Sequence, residues 1–187
     1  NRENRYQFIR PFTWNGTVNL LFEFSYNNSE KTDTIALEAS SGGKGLAMSA
    51  YNNYSVDLAS NGHFDIPAAS LSSIQNEITV SMWVYGNSDL LPASTSIIYG
   101  QGANGERDLN IHLPWSNSEV YFDCGDNGGG YDRINKKASA LDIAGKWNHW
   151  AFTKNAANGD MKIYLNGALW HAGTGKTKTI DISKLVL

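Results

Sequence analysis

Residues Trp147 to Gly167, WNHWAFTKNAANGDMKIYLNG, constrain the fold more tightly than any other stretch of the chain. In the opening run Trp150 and Phe152 share one face of an extended segment, while Trp147, His149, Ala151 and Thr153 share the other. The polar turn Asn155 to Asp160 follows, with Asn and Gly residues that tolerate positive φ. A second alternating run then sets Met161, Ile163 and Leu165 against Lys162, Tyr164 and Asn166. Asn166-Gly167 is a type I′ hairpin signal and returns Ala168 to His171 as a further strand. Two successive hairpins, each with one apolar face, make half of a sandwich that needs a second sheet to cover it.

The rest of the chain supplies further strands. Glu77 to Tyr85 alternates Ile78, Val80, Met82 and Val84 with Thr79, Ser81, Trp83 and Tyr85. Short strands are expected near 55–58, 63–66, 97–99, 107–113 and 119–124, with order resuming at Tyr131 to Ile134. One helical turn is expected within Ala68 to Gln75, and a surface loop at Gly86 to Ser96. The pattern W-x-H-x-A-F-x-K, a polar turn and M-K-I-Y-L-N-G resembles the central hairpin of laminin-G-like and pentraxin-like domains. These lie in the concanavalin A-like lectin/glucanase superfamily, and Ile78 to Val84 is similar to one of their early strands. The resemblance covers residues 47 to 182 and implies an all-β, antiparallel jelly-roll β-sandwich.

Residues 1–46 fall outside it. The run Val18 to Tyr26 and its partner Thr34 to Ala39 read as a β appendage or the end of a preceding domain, joined through the Gly- and Ser-rich segment 40–45. Jelly rolls of the resembled type continue through another pair of strands after the one holding Trp170. Either residues 17–39 supply them, or the 47–187 domain is cut short.

Composition narrows the function classes. Net charge is −3 without a long run of one sign, so nothing points to nucleic acid. The sequence contains no apolar stretch of membrane-spanning length and no leader pattern. Cys124 is the only cysteine, which excludes an internal disulfide, and it reads as a small buried filler. Asn15, Asn27 and Asn53 head N-x-S/T triplets.

Three kinds of site are compatible with the pattern. The superfamily includes glycosidases with clustered carboxylates, and Glu119, Tyr121 and Asp123 come nearest to such a cluster. Residues four apart on a strand sit roughly 13 Å apart. A retaining pair needs about 5.5 Å between carboxyl groups and an inverting pair about 6.5–9.5 Å, so the spacing argues against an enzyme. His112, Asp123 and His149 could ligate a metal only if their strands converge. The resemblance implies a possible Ca²⁺ site, for which Asp123, Asp126, Asn127 and Asp132 are the candidates, flanked by glycines.

Carbohydrate binding is the leading expectation. Pyranose C–H faces stack on aromatic rings, and hydroxyls pair with placed polar groups. Trp83, Tyr85, His112, Tyr121, Asp123, Trp147 and His149 all fall on the outward phase of their strands, with Trp115 beside them after Pro114. If those strands are neighbours, the residues form one patch. The expectation is a non-catalytic glycan-binding or adhesion module of a larger secreted or cell-surface protein. A structural protein–protein interaction module is the alternative, and a divergent glycosidase is third.

Overall fold

A computed structural model describes residues 65–66, 71, 73–126 and 129–187. The N-terminal appendage, the segment 40–45, the strand at 55–58 and the three N-x-S/T sites lie outside the described residues, as do 68–70 and 72 of the turn at 68–75.

The described residues form two antiparallel sheets. The strands are β1 (Asp65–Ile66), β2 (Glu77–Tyr85), β3 (Ile98–Gln101), β4 (Arg107–His112), β5 (Glu119–Asp126), β6 (Tyr131–Lys137), β7 (Trp147–Asn155), β8 (Asp160–Leu165), β9 (Ala168–Gly173) and β10 (Lys184–Val186). A six-stranded sheet runs β1-β10-β3-β4-β5-β6 and a four-stranded sheet runs β2-β7-β8-β9. Helix α1 (Ala140–Ile143) is a single turn capped by Ser139 and Asp142. The all-β sandwich expected from the alternation is therefore what forms. The strand resuming at Tyr131 runs on to Lys137, and β10 enters the six-stranded sheet between β1 and β3.

Side-chain phase follows the sequence. Leu109, Ile111, Val120, Phe122 and Cys124 point inward from one sheet, and Trp150, Phe152, Met161 and Ile163 from the other. Phe122 meets Phe152 edge-to-face across the gap, ring centroids 5.5 Å apart. Cavity creation at such a contact costs roughly 3–5 kcal/mol for Phe→Ala. Ile180 and Ile182 close one side of the core.

Two backbone devices fix strand ends. Asn166 and Gly167 take φ of 51° and 81°, the positive values a type I′ turn requires. Asn166 then pins its turn to β7, because its Oδ1 accepts from the His149 amide at 2.9 Å and its Nδ2 donates to Asn148 Oδ1 at 3.0 Å. Gly86, just after β2, packs against the Ile143 carbonyl of α1 so closely that a Cβ would lie 1.6 Å from that oxygen. No side chain fits there.

Candidate functional site

The eight residues expected to form one patch divide between the two sheets. Trp83, Tyr85, Trp147 and His149 lie on β2 and β7 of the four-stranded sheet; His112, Tyr121 and Asp123 lie on β4 and β5 of the six-stranded sheet. Both groups point outward, but from opposite sheets of a sandwich. The single-patch expectation fails because alternation distinguishes inside from outside and does not say which of two outsides a strand faces.

On the four-stranded sheet the register sets Trp83 opposite His149 and Tyr85 opposite Trp147. The ring centroids are 5.3 and 5.7 Å apart, so each pair braces itself across the strands. Trp83, Tyr85 and Trp147 nevertheless keep 47%, 51% and 49% of their surface in solvent. Ser81 Oγ lies 2.7 Å from His149 Nε2 and fixes that ring. Farther along the same face Thr79, Thr153, Asn155, Lys162 and Tyr164 border a polar hollow of about 280 Å³. The face thus passes from aromatic to hydroxyl, amide and amine along the strand direction.

On the six-stranded sheet His112, Trp115 and Tyr121 line a second hollow of about 510 Å³, together with Asn117, Arg107 and Arg133. His112 Nδ1 is 2.9 Å from the Thr95 carbonyl, which can only accept, so Nδ1 carries the hydrogen. In the neutral ring Nε2 then accepts from Asn110 Nδ2 at 2.9 Å. Asn110 Oδ1 is left buried with no partner among the described residues. The His112 ring lies 4.4 Å from Trp115 and 5.8 Å from Tyr121, whose hydroxyl accepts from Asn117 Nδ2. The loop at 86–96, expected on the surface, delivers Thr95 to this hollow while Leu91 packs on the core.

Asp123 is not a ligand-facing group. It is fully buried beneath two guanidinium groups, with Arg133 Nε at 2.6 Å, Arg133 Nη2 at 2.8 Å and Arg107 Nη1 at 3.3 Å. The bidentate hydrogen bond raises the Arg133 pKa above its ordinary value. Both arginines also lie against Tyr131, at 5.0 and 5.3 Å, and Arg133 lies 4.7 Å over Tyr121. The arginines escaped sequence reasoning. Arg133 stands directly opposite Asp123 in the β5–β6 register, a pairing that strand phase alone does not reveal.

The other expected sites come apart for similar reasons. Glu119 accepts from Asn135 at the surface while Asp123 is sealed under arginine, so the two do not face a common substrate. His112 and His149 belong to different sheets and cannot share a metal with Asp123. Asp132 points into the sandwich, where its Oδ2 accepts from Lys154 Nζ and the Lys178 amide, whereas Asp123 points out. The calcium set Asp123, Asp126, Asn127 and Asp132 is therefore not assembled, with Asn127 outside the described residues. No group of three or more His, Cys, Asp or Glu side chains that could hold a metal ion occurs among the described residues. Asp123 and Asp132, each already paired with a cationic side chain, do not fit a hard-cation cage.

Comparison with known proteins matches this geometry to known folds. The sequence profile of a laminin-G-like family, described as the concanavalin A-like lectin/glucanases superfamily, matches residues 57–184. No curated protein matches the chain. Among solved structures, the receptor binding domain of botulinum neurotoxin C/D mosaic serotype is similar, with 18% identity and a TM-score of 0.54, over 67% of this chain and 32% of that one. The botulinum neurotoxin serotype G binding domain gives 14% identity and a TM-score of 0.54, over 70% and 33% of the two chains. The binding domain of botulinum neurotoxin DC, in complex with rat synaptotagmin II, gives 20% identity and 0.53, over 69% and 33%. The chain spans about a third of the length of these structures, and at such identities the likeness is one of fold.

Proposed function

Because the chain belongs to the laminin-G-like family of the concanavalin A-like lectin/glucanases superfamily, we propose that it is a non-catalytic glycan-binding module. On this reading a polysaccharide lies along the outer face of the four-stranded sheet. The domain works outside the cell or at its surface, as part of a larger protein.

One observation carries this reading: Trp83, Tyr85 and Trp147 are each about half exposed while held in cross-strand pairs. Large aromatic surface is seldom left open in a rigid setting without a partner to cover it. A ring of this kind has roughly 150–250 Å² to bury, so the uncovered half is worth about 2–3 kcal/mol per ring at ~25 cal/mol per Å². Three rings give about 6–9 kcal/mol before losses. Association costs roughly 4–15 kcal/mol, which offsets much or all of that gain. The polar groups at Thr79, Thr153, Asn155 and Lys162 would have to contribute, and the affinity expected is micromolar to millimolar.

The second reading is a protein-interaction module using the same face. Leu169 favours it, since this side chain is 58% exposed on β9, lies opposite Tyr164 and offers a sugar no hydrogen bond. A polysaccharide pull-down with wild type, Trp83→Ala and Trp147→Ala separates the two. Retention of a polysaccharide by wild type and its loss in both folded variants supports the glycan module; retention of none supports the protein-interaction reading.

A further inference from the structure

We propose that the hollow on the six-stranded sheet is a second and separate site, selective for sugar residues that carry a carboxylate or a sulfate ester. It lies on the opposite sheet from the Trp83 face and does not depend on what that face binds.

The charge balance is local and opposite to that of the chain. Arg107 and Arg133 bring +2 and Asp123 brings −1, leaving +1 at the hollow of a protein whose net charge is −3. No carboxylate lines the hollow, and Asp123 lies beneath it with no exposed surface. Asp123 therefore acts as an anchor that fixes two guanidinium groups from below.

Those groups keep hydrogen-bonding capacity in reserve. Arg133 uses Nε and Nη2 on Asp123 and the Tyr131 hydroxyl, and Nη1 makes no hydrogen bond among the described residues. Arg107 places a single bond, from Nη1 to Asp123. Their side chains remain 36% and 35% exposed. A planar, immobilised guanidinium offers paired N–H donors whose spacing matches a carboxylate or sulfate. Because the arginines are already held by Asp123 and Tyr131, little side-chain entropy remains to be lost on binding.

The rest of the hollow suits a sugar carrying that anion. The Trp115 and Tyr121 rings supply apolar surface for C–H faces, and Asn117 and Ser96 supply polar edges. A volume of about 510 Å³ lies within the ~300–1,000 Å³ of small-molecule sites. A neutral sugar would cover the guanidinium groups without matching their charge, which is the source of selectivity.

Isothermal titration calorimetry on the whole chain tests this with four probes: an oligouronate, its carboxyl-reduced form, a sulfated oligosaccharide and its desulfated form. At least one acidic probe should bind about tenfold or more tightly than its neutral counterpart, weakening as salt is raised. Which acidic probe binds distinguishes carboxylate from sulfate. Arg107→Gln should cost about 10- to 100-fold, Arg107→Lys should recover part of the loss, and Leu141→Ala, at an exposed residue of α1 that lines neither hollow, should leave acidic binding unchanged. Circular dichroism on each variant establishes that it is folded. The proposal is overturned by equal affinity for acidic and neutral forms, by full binding in folded Arg107→Gln, or by no binding of either acidic probe. It is equally overturned if a polyglutamate peptide binds as tightly as the better acidic sugar.

Discussion

Lys154 Nζ lies 2.7 Å from Asp132 Oδ2 and joins β7 of one sheet to β6 of the other. Lys154 follows Trp150 and Phe152 on the inward phase of β7, and its side chain is fully buried. Its ammonium also donates to the Lys176 carbonyl, while Asp132 accepts from the Lys178 amide, so the pair ties β6, β7 and the segment before β10 together.

Removing one partner strands the other in the core. Lys154→Met should lower unfolding free energy by roughly 3–5 kcal/mol, measured by urea denaturation. Asp132→Asn should also destabilise. The double variant should cost clearly less than the two single losses combined, because the residues share one interaction.

Asp108 is buried on the outward phase of β4, and its carboxylate accepts from the Asp126 amide at 2.7 Å and from the Asp181 amide. Burial raises its carboxyl above the ordinary 3.8, opposed by those two hydrogen bonds. Asp108→Asn replaces one accepting oxygen with a donor that faces a backbone N–H. The expected cost is about 1–3 kcal/mol in the same denaturation assay.

Cys124 is buried, and desolvation pushes its thiol far above the ordinary value of 9.0. The native protein should not react with a thiol-modifying disulfide reagent at pH 8 over minutes, whereas the urea-unfolded chain should react with one equivalent. Fast labelling of folded protein would contradict this placement.

His171 gives the fold one pH-sensitive element. Burial, and to a lesser degree the Lys136 charge, lowers its pKa below 6.5. The unfolded chain then takes the proton more readily than the folded one. The stability contributed by neutral His171 is present above pH 6.5 and is lost as pH falls through the lower folded-state value. Urea midpoints for His171→Gln should fall less steeply than wild type between pH 7 and the onset of acid unfolding.

Much of the sandwich could be read from residue alternation, because one-sided burial repeats every second residue along a strand. Trp150, Phe152, Met161 and Ile163 reach the core as their phase requires, and Asn166-Gly167 forms the turn its dihedral preferences dictate. The candidate site was only half legible. Trp83, Tyr85, Trp147 and His149 fall together because β2 and β7 pair, whereas His112, Tyr121 and Asp123 share their phase but not their sheet. Strand order comes from contacts far apart in sequence, which no local pattern encodes. The Arg133–Asp123 fork and the Lys154–Asp132 pair depend on register and on sheet packing in the same way.

On the proposed function the half-exposed rings on β2 and β7 meet the glycan. The indole N–H resonances of the six tryptophans report on it directly in ¹⁵N-labelled protein titrated with a polysaccharide that the wild type retains. The Trp83 and Trp147 signals should move with saturating dependence on ligand while that of buried Trp150 stays in place. Saturable binding that leaves both Trp83 and Trp147 unmoved would contradict it.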